Sequence, residues 1–174
     1  MFASSSKITF AGAGISALAA WGSTLADLRK HFSIKTIGPD KLNQLSHIRF
    51  LKDMDTIHAL MQKHRAIIAP KFNAADRVLQ RELGGKGIAE WTRPLGGYFI
   101  SVDVLDGCAA RVVALCKEAG VTLNPAGSTY PYGKDPHDSN IRIAPTFPSI
   151  SEIEISMEIF AVCVCLAAIE KLLS

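Results

Sequence analysis

Ser4-Ser5-Ser6-Lys7-Ile8-Thr9-Phe10-Ala11-Gly12-Ala13-Gly14 stands at the head of the chain, and the rest is read outward from it. Small hydroxyls flank a single lysine, and a glycine turn follows. A lysine amine forms a Schiff base with an aldehyde, while hydroxyls and backbone N–H groups hold a phosphate. The combination suits a phosphate-bearing aldehyde cofactor, pyridoxal phosphate. The motif begins almost at the first residue, which is expected to limit what the chain does alone.

Three other readings compete for the same stretch. Gly12-x-Gly14-x-x-Ala17 fits a dinucleotide fingerprint if a strand at 7–11 feeds a helix from Ser16, the helix N-terminus then holding a pyrophosphate. That reading lacks a well-placed acid: Asp40 comes late, after Pro39, and Lys35 precedes it. Ser4-x-x-Lys7 satisfies a serine acylase pattern, but no Ser-Asp-Asn or Lys-Thr-Gly partner follows. The bland reading is that the glycines let a strand and a helix pack closely, with Lys7 an ordinary surface lysine.

Beyond Gly14 the pattern turns helical. A helix is expected over 16–31, another after Pro39-Asp40 with Leu42, Leu45, Ile48 and Leu51 as its apolar face, and a long one from Asp53. Pro70 is expected to kink or break the long helix, and Gly84-Gly85 to end it. After Gly87 the composition changes. Residues 88–92 and 98–104 read as strands joined through Arg93-Pro94-Leu95-Gly96-Gly97, and Asp106 as the cap of a helix ended by Gly120. Strands are expected at 121–123 and 140–144, and Ser149 with Glu152 forms a capping box before a helix to about Leu172, an end good to a few residues. The fold class is α/β: a mixed or antiparallel sheet packed with helices, preceded by a helical segment.

A chain of 174 residues that is 48% hydrophobic can build a real core, so a disordered class is excluded. The net charge of +3 comes from scattered residues and not from a basic block, so neither nucleic acid nor a membrane is expected as a partner. Cys108, Cys116, Cys163 and Cys165 lack C-x-x-C spacing, and no secretory signal precedes the first motif. Buried thiols in a reducing cytoplasm are therefore expected, and no metal site. The apolar run from Ile159 to Ile169 is too short to span a membrane and reads as a buried helix.

Arg142 is the second candidate functional residue. In Asn140-Ile141-Arg142-Ile143-Ala144 the alternation sets Arg142 opposite Ile141 and Ile143, and a guanidinium fork clamps a carboxylate through two parallel hydrogen bonds. Spacing alone favours an arginine on a solvent face. Tyr130, Tyr132 and Trp91 are equally ambiguous, with Trp91 read as a packing residue.

Taken together, Ser4-x-Ser6-Lys7, then Arg93-Pro94-Leu95-Gly96-Gly97-Tyr98-Phe99, then Asn140-x-Arg142 occur in the order found in class I/II aminotransferases. The chain resembles the C-terminal part of these fold-type-I pyridoxal phosphate enzymes, aspartate-type branch, over essentially every residue. The resemblance implies that Lys7 forms the internal aldimine and then shuttles a proton. It places Ser4 and Ser6 near the cofactor phosphate and Arg142 on the substrate carboxylate. It implies three parts: residues 1–52 from the large cofactor-binding domain, 53–84 a linking helix, and 85–174 the small α/β domain.

Two departures stand out. Ile15 occupies the place where many relatives carry a phosphate-binding arginine, with backbone N–H groups around Gly12 to Gly14 as the substitute. Most of the large domain, with the acid that pairs the pyridine nitrogen, does not precede Lys7, so little or no transaminase activity is expected of this chain alone. Three functions follow: the C-terminal portion of an aminotransferase moving an amino group between an amino acid and a 2-oxo acid; a non-catalytic interaction module with the same fold; and a dinucleotide-binding module using Gly12 and Gly14. The first implies a homodimer or pairing with a chain that supplies the missing domain.

Overall fold

The computed structural model describes residues 1–173. It forms two compact units, Met1–Arg65 and Ala66–Ser174.

The first unit opens on a short hairpin, not on a strand running into a helix. Strand β1 (Phe2–Ser4) pairs antiparallel with β2 (Ser16–Leu18), Phe2 opposite Leu18 and Ser4 opposite Ser16. The expected strand at 7–11 is absent because Ser5 closes the loop on itself. Its N–H donates to Ile15 O at 2.8 Å, its Oγ accepts from Ile15 N at 2.9 Å, and its carbonyl accepts from Ile8 N and Thr9 N. Lys7 thus sits on a tight turn, and residues 16–18 are used in strand pairing. Helix α1 starts only at Gly22 and runs to Lys35. This removes the strand–turn–helix geometry that a dinucleotide fingerprint needs, since Gly12 and Gly14 lead into a strand and no helix N-terminus follows them.

Helix α2 (Lys41–Leu51) begins where Pro39-Asp40 predicted: Asp40 Oδ1 accepts from Leu42 N and Asn43 N at 2.9 and 3.1 Å. Its orientation differs from the expectation. Leu42, Leu45 and Ile48 are exposed, whereas His47 is the buried residue of this helix.

Helix α3 (Met54–Leu83) continues through Pro70 without a break. Proline removes one N–H, which leaves the carbonyl of Ala66 without its helical partner. Pro70 itself is exposed, and beyond it Ala74, Ala75, Val78, Leu79 and Leu83 are all buried, so packing holds the second half of the helix in place. Lys71 Nζ adds hydrogen bonds to Thr146 O and Phe147 O at 2.9 and 3.1 Å.

The second unit contains a three-stranded antiparallel sheet in the order β3 (Ala89–Trp91), β4 (Ile100–Val104), β5 (Asn140–Ile143). Alternation sorts its faces: Ile100, Val102, Val104, Ile141 and Ile143 are buried in one core with the second half of α3, helix α4 (Ala109–Glu118) and helix α5 (Ile150–Leu173). Phe160 of α5 is fully buried at the centre. The capping box of α5 forms as predicted, with Ser149 N donating to Glu152 Oε2 at 2.7 Å and Glu152 N to Ser149 Oγ at 3.3 Å.

Two expectations fail here for identifiable reasons. Asp106 does not cap α4; it accepts from His137 Nδ1 at 3.0 Å, and the cap comes from Asp138, whose Oδ1 accepts from Ala110 N. Residues 121–123 form no strand, because Val121 N is already bonded to Cys116 O at the exit of α4. Among the described residues no helix is long and apolar enough to cross a membrane, and no cluster of His, Cys, Asp and Glu could hold a metal.

The centrality of Phe160 is testable by urea denaturation. Phe160→Ala is expected to cost about 3–5 kcal/mol through the cavity it leaves. Val162→Ala, two residues away and exposed, is expected to stay within about 0.5 kcal/mol of wild type. Equal effects would contradict this placement of the core.

Candidate functional site

In the first unit the sequence candidates Ser4, Ser6 and Lys7 share one turn. Ser4 Oγ and Ser6 Oγ lie 2.8 Å apart, and Ser6 N donates to Ser4 Oγ at 3.2 Å. Gly14 comes back against this pair: a Cβ there would collide with the Ser6 side chain and stand 2.8 Å from its Cα. The glycine is therefore required for the close approach that packs the far limb of the loop against Ser6. All three candidate residues are exposed.

In the second unit Arg142 projects from β5 on the face opposite Ile141 and Ile143 and stands in register with Ser101 of β4. Its Cζ lies 4.6 Å from the centroid of the Phe99 ring, a cation–π contact that orients the guanidinium plane. The Nε atom is buried and has no hydrogen-bond partner among the described residues. Leaving such a donor unpaired costs about 1–3 kcal/mol, which favours any acceptor able to reach it. Arg142 also lines a cavity of about 140 Å³ with Leu123, Asn124, Pro145, Ser156 and Met157. That exceeds the roughly 10–15 Å³ of such space that one water needs, so the cavity admits a small ligand in place of water.

Asn140, two residues before Arg142 on the same face, is buried with its carboxamide fully used. Its Oδ1 accepts from Thr129 Oγ1 at 2.7 Å, and its Nδ2 donates to Ser101 Oγ at 2.8 Å and Asp103 Oδ1 at 2.7 Å. Asp135 shapes the approach to the strand, accepting from His137 N, Ser139 N and Asn140 N at 2.8 to 3.0 Å. Burial opposes the charge on Asp135, but these backbone donors prevail and hold its carboxyl below the ordinary aspartate value. The roles of Asn140, Asp135 and Phe99 were not predicted. Asn140 had a usable signal, its two-residue spacing from Arg142 on a strand.

Other candidates separate cleanly. Trp91 is a packing residue whose Nε1 donates to Asp76 Oδ1 at 2.8 Å. Cys108, Cys116 and Cys163 are buried and Cys165 is half-buried. Burial, with Cys163 alongside, pushes the Cys116 thiol up to about 12, so it is not a nucleophile at neutral pH.

An antiparallel sheet covered by helices, with a separate serine-flanked lysine turn, makes this a mixed α/β protein. Comparison with known proteins narrows this: the model of the aspartate amino-transferase family matches residues 1–174, and the chain belongs to that family. It is 53% identical over 173 residues to a Mycolicibacterium smegmatis protein described as an aminotransferase, covering 99% of this chain and 40% of that protein. It is 49% identical to an aspartate aminotransferase of Corynebacterium glutamicum, covering 97% of this chain and 39% of that one. The crystal structure of an aspartate transaminase from Corynebacterium glutamicum superposes with a TM-score of 0.87 at 47% identity, over 98% of this chain and 40% of that one. The chain thus spans about 40% of the length of the curated relatives it matches.

The depressed Asp135 value carries a sign. A carboxyl whose folded value lies below its unfolded one contributes stability that is present above the unfolded value and is lost as pH falls through the folded one. The urea midpoint of the wild-type chain is expected to drop on acidification through that range, and Asp135→Asn to flatten the drop. An unchanged pH profile in the variant would show that Asp135 does not hold the loop before β5.

Proposed function

We propose that this chain carries the lysine and the carboxylate-binding arginine of a pyridoxal phosphate-dependent aminotransferase, which moves an amino group between an amino acid and a 2-oxo acid. Residues 1–52 belong on this reading to the large cofactor-binding domain, 53–84 to a linking helix and 85–174 to the small domain. The observation that carries it is the buried Nε of Arg142, a guanidinium donor with no protein partner in a member of this family.

The residues at the other candidate site fit the cofactor. The Lys7 amine would take the aldehyde, and the paired hydroxyls of Ser4 and Ser6 would face the phosphate, on a turn that the Gly14 approach keeps compact. When bound, pyridoxal phosphate supplies the electron sink that makes the substrate Cα proton removable. Lys7 Nζ holds and returns that proton. Arg142 binds and orients the α-carboxylate, helped by the Phe99 ring against its guanidinium. Because the chain spans about 40% of its relatives' length, the 174 residues alone support little or no transfer, and a partner or a longer polypeptide completes the site. A homodimer is one such completion.

The non-catalytic reading has one observation in its favour. Helix α1 buries none of its residues and leaves Phe32 and Ile34 exposed, an apolar surface suited to a partner. An interaction module has no need of an arginine that recognises a carboxylate, so the Arg142 test separates the two.

That test is a titration of the ¹⁵N-labelled chain with pyruvate as a small 2-oxo acid, following the Arg142 Nε–H resonance. The expected result is a saturable shift there and at the backbone amides of residues 141–143, the latter read in both proteins and weakened roughly 10- to 100-fold in Arg142→Lys, as loss of charged hydrogen bonds predicts. A resonance that does not move, or equal binding by the variant, would overturn the assignment.

A further inference from the structure

We propose that His47 is the positioning residue of the Lys7 turn, acting through Thr9. This rests on the reading of Lys7 as the residue that takes the aldehyde, and it assigns a role to a helix that the site description leaves unused. His47 is 3% exposed and is the only buried residue among residues 1–65. The first unit thus shields one side chain fully, and that side chain is an imidazole.

Both ring nitrogens are engaged. Nδ1 lies 3.0 Å from Asn43 O, one turn back on α2, and Nε2 lies 2.9 Å from Thr9 Oγ1. A carbonyl only accepts, so Nδ1 donates to Asn43 O, while Nε2 pairs with the Thr9 hydroxyl. Thr9 Oγ1 also lies 3.3 Å from Ser5 Oγ, which is itself bonded to Ile15 N. The same Thr9 oxygen lies 3.1 Å from Ser5 O. The result is a hydrogen-bonded network, Ser5–Thr9–His47–Asn43, which crosses the loop two residues on either side of Lys7.

The helix contributes more than one contact. Residues 43, 47 and 50 recur at helical spacing and form one stripe of α2. Asn43 Nδ2 donates to Ala13 O at 2.8 Å, His47 meets Thr9, and Phe50 meets Phe10 with ring centroids 5.9 Å apart. Phe10 also stands edge-on to the His47 ring at 6.4 Å. Thr9, Phe10 and Ala13 are thereby fixed to a single rigid element. These contacts flank residues 6 and 7, where the proposed chemistry is.

The experiment uses the whole chain as His47→Ala and His47→Gln. Amide hydrogen exchange at Ile8, Thr9 and Ile15 reads the clamp without any cofactor, and the rate at which pyridoxal phosphate produces visible imine absorbance reads Lys7. In His47→Ala, exchange at those amides is expected to be about tenfold faster and the absorbance rate about tenfold slower, as loss of one buried hydrogen bond predicts. His47→Gln restores both, because its carboxamide carries both a donor and an acceptor and so pairs with the Thr9 hydroxyl in either sense. Unchanged exchange over helix α1 shows that the first unit of the variant is folded, and over residues 100–104 that the second is. Wild-type exchange in His47→Ala, or faster exchange with an unaltered absorbance rate, overturns the proposal. No absorbance from the wild-type chain overturns the Lys7 reading itself, and the cofactor-free exchange measurement tells that failure apart from failure of the clamp.

Discussion

Strand β5 has to bury Ile141 and Ile143 while keeping the side chains between them out of the core, and the second unit is built on that alternation. Once the two isoleucines join Ile100, Val102 and Phe160, Asn140 and Arg142 are committed to the opposite face. A slip of one residue would place a guanidinium in the core, a cost no local contact could offset. Register is fixed a second time by polar means. Asn140 is bonded to Ser101, Asp103 and Thr129, and Asp135 ties the chain just before the strand. Arg142 inherits its position from this double constraint and from the Phe99 ring.

The first unit solves a different problem. It has almost no apolar core, and its order comes from hydrogen bonds that close a loop at Ser5 and Ile15 and attach it to α2. Such closure would suit the reactive amine proposed at Lys7, which would have to be accessible and still held in place. The fold therefore presents Lys7 from a polar clasp and Arg142 from the rim of a packed sheet.

How much of this was legible in the sequence depended on whether the signal was local. The α5 capping box, the Asp40 cap and the β4 and β5 alternation were readable because each depends on neighbours a few residues apart. The Lys7 region was misread as a strand because Ile8-Thr9-Phe10 has strand propensity, while the bond that folds it joins Ser5 to Ile15. Helix α2 was assigned the wrong face for a related reason. Its leucines and isoleucine advertise an apolar stripe, and only the tertiary contacts of Asn43, His47 and Phe50 reveal which side is inward. Asp138 displaced Asp106 as the α4 cap because the cap arrives from a loop nearly 30 residues away. Lys7, Ser4, Ser6 and Arg142 are candidates through the order of three motifs, a pattern that periodicity does not carry.

The central claim is that Lys7 is the residue to which the aldehyde cofactor attaches. It is tested most directly by adding pyridoxal phosphate at low concentration to the purified chain, reducing with borohydride, and locating the modified residue by peptide mass spectrometry, with Lys7→Ala alongside. The account predicts modification concentrated on Lys7 and lost in the variant. Modification spread over many lysines, and unaltered by Lys7→Ala, would contradict it.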